Sequence, residues 1–150
     1  MTEPVTALSD EMVLQLQSQP FVLLHTVDAD SGYPTSSVIS WVFAPDAKRI
    51  RFAVDGRSRL VRNMASRPDI CLTVFGPCTA QAVYGKVRVL SDDLDGVPFR
   101  LVCYEAEIDT VRNAMFHGSR LAAVPEFEKT YDKRAADKLD GQVFEAIRKA

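Results

Sequence analysis

Several features that would quickly define a protein are scarce in this sequence. It has three cysteines, Cys71, Cys78 and Cys103, and no CxxC pair. That inventory fits neither a disulfide framework nor a structural zinc site, and reads as a chain kept in a reducing compartment. The only histidines are His25 and His117, too far apart in sequence and too isolated for a triad or a metal cluster, so both read as structural and no metal is expected. No apolar run approaches the roughly 18 residues of a membrane span. Met1 to Gln17 has no basic stretch followed by an apolar core, so the expectation is a cytoplasmic protein, neither exported nor membrane-bound. There is no glycine-rich first turn and no alternation of strand with helix, which argues against a parallel nucleotide-binding fold.

A dominant charge is also missing: 18 basic and 20 acidic residues leave a net charge of −2. No global field points to nucleic acid or an anionic membrane. An oligonucleotide-binding barrel would interleave aromatic and basic residues on one exposed strand face, and Trp41, Phe43, Arg51 and Phe52 supply only a fragment of that pattern. Asp92, Asp93 and Asp95 lack the glutamate of a calcium loop and read as a solvated turn. Apolar residues, by contrast, make up 47% of the 150 positions. That is enough for one core, and residues 1–150 read as one domain.

Ser9, followed by Asp10 and Glu11, marks a helix start whose apolar face is Met12, Val13 and Leu16, and Pro20 ends it. Phe21 to Val27 reads as a strand before the turn Asp28 to Gly32. Ser37 to Phe43 reads as a second strand and Ile50 to Val54 as a third, giving an antiparallel meander. A helix is expected from Ser58 to Arg67, then strands over Ile70 to Phe75, Ala80 to Leu90 and Phe99 to Val111. Beyond Pro125, Ala135, Leu139, Val143, Phe144 and Ile147 form the stripe of a terminal helix. Six antiparallel strands with few helices point to a closed or split barrel, because closure removes exposed edges.

The sharpest local signal is basic. Lys48, Arg49, Arg51, Arg57, Arg59, Arg62 and Arg67 fall within a window that holds a single acid, Asp55. Ser58 and Arg59 stand where a strand gives way to a helix, so free amides, a hydroxyl and a guanidinium can converge on a phosphate. The alternative is a serine cap followed by a solvated arginine face. Thr35 to Trp41 sets small hydroxyl residues among apolar ones, a surface against which a flat ring can lie with Val38 and Trp41 covering it. An ordinary strand with one wet face has the same pattern.

The order of these elements resembles the pyridoxamine 5′-phosphate oxidase-like proteins, in particular their short general-stress-protein branch. The resemblance rests on Gly32-Tyr-Pro-Thr-Ser-Ser-Val-Ile-Ser-Trp41, Ile50-Arg-Phe-Ala-Val-Asp-Gly-Arg-Ser-Arg-Leu-Val-Arg-Asn63, Pro68-Asp-Ile-Cys-Leu-Thr-Val74 and Val83-Tyr-Gly-Lys-Val87. It implies a mainly β fold with flanking helices, a six-stranded antiparallel split β-barrel that binds FMN, and a homodimer with its cofactor sites at the interface. The implied cofactor-binding residues are Ser36, Ser37, Val38, Ile39 and Ser40 along the ring, then Val54, Asp55, Arg57, Ser58, Arg59 and Leu60 toward the phosphate. Leu60 stands where the family pattern has a lysine, and Arg57 or Arg62 is the expected substitute. The arginine and lysine of the vitamin-B6 oxidases are also missing, near Ser37 and Val42. No side-chain nucleophile is implied, because the chemistry belongs to the flavin. The expected activity is an FMN-dependent oxidoreductase acting on a small molecule. A non-catalytic flavin-binding stress protein, or a haem or deazaflavin protein, is the alternative.

Overall fold

Alternating burial along the strands shows which face of each one meets the interior. In chain order the elements are α1 (Asp10–Leu16), β1 (Val22–Val27), β2 (Pro34–Ile39), β3 (Val42–Asp46), β4 (Arg49–Asp55), α2 (Arg59–Ser66), β5 (Asp69–Phe75), β6 (Ala80–Ser91), β7 (Leu101–Asn113) and α3 (Lys133–Lys149). The structure is a computed structural model that describes residues 4–18 and 20–150. Met1 to Glu3, part of the N-terminal stretch read above, lie outside the described residues. Val22, Leu24 and Thr26 on β1 and Ile70, Leu72 and Val74 on β5 turn inward, while Leu23, His25, Cys71 and Thr73 between them are half-buried on the outer face.

The strands make one antiparallel sheet of seven, in the order β2-β1-β5-β6-β7-β4-β3. The expected count was six. The single strand expected over Ser37 to Phe43 is two, β2 and β3, separated by Ser40 and Trp41. Its first half pairs with β1, from Pro34 opposite Val27 to Ile39 opposite Val22. Its second half pairs with β4. The expected three-strand meander is thus broken, since β4 takes β7 as its other neighbour through seven register pairs. Two consecutive strands therefore form the two opposite edges of the sheet. A two-residue link can join them only if the sheet curls until its edges meet, and the result is a split barrel, with no ladder closing β2 onto β3 among the described residues.

One core fills the barrel: Phe52 and Tyr104 stack with centroids 5.5 Å apart among Leu24, Ile50, Leu72 and Val102. A second lies outside it, where Val143 and Ile147 of α3 cover Ala53, Leu101 and Cys103. The buried face of α3 includes Ala136, not the expected Ala135, which is exposed. The helix starts at Lys133, behind an Asp132 cap, two residues before the expected stripe begins. The register of β6 against β7 shifts between Tyr84 and Gly85. A Cβ on Gly85 would collide with the Glu107 carbonyl oxygen, which makes glycine necessary at this bulge.

A buried carboxylate docks α3. Glu105 is 4% exposed and accepts from Arg51 Nε at 3.1 Å and Arg88 Nη2 at 2.6 Å. Arg51 Nη1 also donates to the carbonyls of Ile147 and Arg148, each at 3.2 Å, satisfying the C-terminal end of the helix. Burial raises the Glu105 pKa, but the hydrogen bonds from Arg51 and Arg88 outweigh it and hold the carboxyl below its ordinary 4.5. The stabilisation is therefore complete above that ordinary value and is lost as pH falls through the lower folded one. Glu105→Gln is expected to destabilise the fold by about 1–3 kcal/mol near neutral pH. The gap from wild type should narrow below about pH 4, as read by urea midpoints across a pH series.

A candidate ligand cavity at the barrel seam

At the seam where the two sheet edges approach, the Trp41 carbonyl accepts from the Ala53 amide at 3.0 Å, tying the link between β2 and β3 to β4. β2 ends there, β3 begins, and the last residues of β4 run alongside. Asp55 closes β4, and its carboxylate accepts from the Arg57 amide at 2.8 Å, which shapes the turn into α2. Ser58 caps that helix, its Oγ accepting from the Leu60 amide at 3.1 Å. A cavity of about 400 Å³ lies between the hinge, the end of β4 and the start of α2. That lies within the roughly 300–1,000 Å³ usual for small-molecule sites.

The structure brings Ser37, Val38, Ile39, Ser40, Val54, Asp55, Ser58 and Leu60 together on the wall of this cavity. Ser36, Arg57 and Arg59 are not on it. Ser36 lies further back along β2, where its hydroxyl meets His25 Nδ1 at 2.9 Å, while His25 Nε2 meets Thr73 Oγ1 at 2.8 Å. Both ring nitrogens of His25 are thereby engaged. Arg57 folds back on Asp55, 3.3 Å away, and its hydrogen bonds hold the Asp55 carboxyl below the ordinary aspartate range. Arg59 donates through Nη2 to Asp28 at 2.6 Å.

Much of the basic window is thus matched by carboxylates. Arg62 pairs with Asp30 at 2.6 Å and Arg67 with Asp69 at 3.5 Å, and the buried Asn63 bonds the Ala29 amide and the Thr26 hydroxyl. The contacts of Arg62 and Asn63 pin α2 to the turn between β1 and β2. In that turn the backbone and hydroxyl of Ser31 donate to Asp28, and with Arg59 they hold its carboxyl below the ordinary aspartate range. A guanidinium has five N–H donors, so the Asp28 contact orients Arg59 and leaves donors free.

Four further wall residues are Trp41, Ala53, Lys129 and Tyr131. The sequence reading placed Trp41 beside Val38 over a ring. Lys129 and Tyr131 come from the irregular segment before α3, where no periodicity or motif marks them. Trp41 Nε1 donates to Asp140 Oδ1 of α3 at 2.8 Å, and Lys129 Nζ lies 3.5 Å from the same oxygen. The terminal helix is thereby latched onto the seam.

A curled antiparallel sheet with a cavity at its open seam, walled by strand hydroxyls and a helix start, defines a split barrel. The chain belongs to the pyridoxamine 5′-phosphate oxidase family, whose model matches residues 8–112. The fold is similar to that of a Lactobacillus delbrueckii protein carrying that oxidase name, at 20% identity over 72% of this chain and 95% of the other, with a TM-score of 0.61. It is similar also to an F420 reductase (18% identity, 66% and 94% covered, TM-score 0.57). A third similar structure is general stress protein 26 of Bacillus anthracis Sterne (17% identity, 69% and 91% covered, TM-score 0.55). No curated protein matches the sequence. Among the described residues, no helix is long and apolar enough to cross a membrane.

The latch has a measurable weight. Trp41→Phe keeps the aromatic packing but removes the donor to Asp140, and should cost about 1–3 kcal/mol. Circular dichroism during urea unfolding checks this, since Trp41 is the only tryptophan.

Proposed function

We propose that this protein binds FMN in the seam cavity and acts as a flavin-dependent oxidoreductase on a small molecule. The observation that carries the reading is the convergence of eight sequence-designated residues on one cavity wall. The wall fits a flat ring bearing a phosphate. Val38, Ile39, Val54 and Trp41 offer apolar surface, Ser37 and Ser40 offer hydroxyls, and the α2 start with its Ser58 cap offers polar groups for an anion. Bound flavin would supply the hydride or electron chemistry, and the chain's residues bind, orient and shield it.

FMN added to the purified protein is expected to bind with quenching of flavin fluorescence, and riboflavin more weakly. Arg59→Ala should weaken FMN about tenfold and leave riboflavin nearly unchanged, because one charge-assisted bond to the phosphate is lost. Titrations in which FMN binds no better than riboflavin, or not at all, overturn the assignment. Tight binding of a deazaflavin or haem in place of FMN would redirect it to those cofactors.

The same reading makes the protein a homodimer. α3 covers the outer face of β4 and β7, whereas among the described residues no helix covers the outer face of β2, β1, β5 and β6. Val38 is 63% and Tyr84 41% exposed there, beside the half-buried Leu23 and Cys71. A second copy on that face would bury apolar surface next to the seam. Light scattering at micromolar concentration is expected to give twice the 16.7 kDa chain mass, and a strictly monomeric mass with FMN bound would refute a shared site.

A further inference from the structure

We propose that Lys129 supplies a further cation, beside the free donors of Arg59, for the anionic end of a phosphorylated ligand in the seam cavity. The inference rests on the FMN reading above and adds a residue from outside the family's matched region, which ends at residue 112. Among the charged groups around the seam, the arginines of α2 and its turn already face carboxylates: Arg57 with Asp55, Arg59 with Asp28, Arg62 with Asp30. None of these arginines lines the cavity, and Leu60 on its wall is apolar. Lys129 does line it. Its side chain is 26% exposed, and its ammonium sits 5.6 Å from the centroid of the Phe127 ring.

The one carboxylate near Lys129 leaves it under-satisfied. Asp140 Oδ1 is 3.5 Å from Nζ, beyond the roughly 2.7–2.9 Å of a charge-assisted hydrogen bond. The same oxygen already accepts from the Trp41 indole at 2.8 Å. A half-buried lysine whose ammonium has three donors, a π face behind it and only a shared, distant carboxylate has capacity for an anion. Asp55, the other charged residue of the wall, is held by Arg57, so the anion does not meet an uncompensated carboxylate. Asp140 thus positions Lys129 without saturating it.

The test titrates FMN and riboflavin into the wild-type protein, Lys129→Gln and Lys129→Arg, following flavin fluorescence, with thermal melts confirming that each variant is folded. Lys129→Gln should lose about tenfold in FMN affinity, the low end for one charge-assisted bond, and change riboflavin less than about twofold. Lys129→Arg should keep most of the FMN affinity. If Lys129→Gln binds FMN like the wild type, or loses FMN and riboflavin equally, Lys129 is not the phosphate contact although the flavin reading stands. If the wild type binds neither flavin, both fall together.

Discussion

Two residues, Ser40 and Trp41, carry the chain from one edge of a seven-stranded sheet to the other, and that short link is the constraint on which the remaining structure depends. An open sheet of this width would hold its edges far apart, since neighbouring strands are spaced by roughly 4.8 Å. The link therefore imposes curvature. The curved sheet encloses the stack of Phe52 and Tyr104, and the seam it leaves is where polar strand ends, a helix start and a tryptophan come together. The cavity is thus a by-product of how the barrel is joined, not an insertion added to it.

Charge is organised on the same plan. A window rich in arginine invites a reading as an anion site, yet most of its guanidinium groups tie elements together. Arg51 joins β4, β7 and the end of α3, while Arg59 and Arg62 fasten α2 to the turn after β1. An arginine can do this and still recognise a ligand, because its fork offers more donors than one carboxylate accepts. Asp28 illustrates the point, holding Arg59 from a nearly buried position while the guanidinium stays in solvent.

Much of this was legible in the residues. The Ser9 and Ser58 caps and the strands at Phe21 to Val27 and Ile50 to Val54 follow from local rules that tertiary context does not override, whereas the eight wall residues were designated by the family resemblance. The split between β2 and β3 was hidden because Ser40 and Trp41 contain no glycine or proline, and the strand pattern runs through them without interruption. Only the exchange of partner strands breaks it. Ala135 and Ala136 differ by one helical position, which composition alone cannot resolve. Lys129 and Tyr131 were invisible for a related reason: they reach the cavity through packing of an irregular segment against α3, which leaves no period in the sequence.

The position of β7 in the sheet bears on how the chain is made. β3 and β4 emerge from the ribosome as a hairpin, but the neighbour that joins them to the rest of the sheet is the last strand, with Arg49 paired to Glu107 and Asp55 to Leu101. β1, β2, β5 and β6 can assemble before it arrives, because their ladders need nothing downstream of Ser91. Without β7, the ladders that remain are a four-stranded half-sheet with an unpaired edge on β6 and a separate hairpin of β3 and β4. The barrel, and with it the seam, is complete only once β7 lies between the two halves.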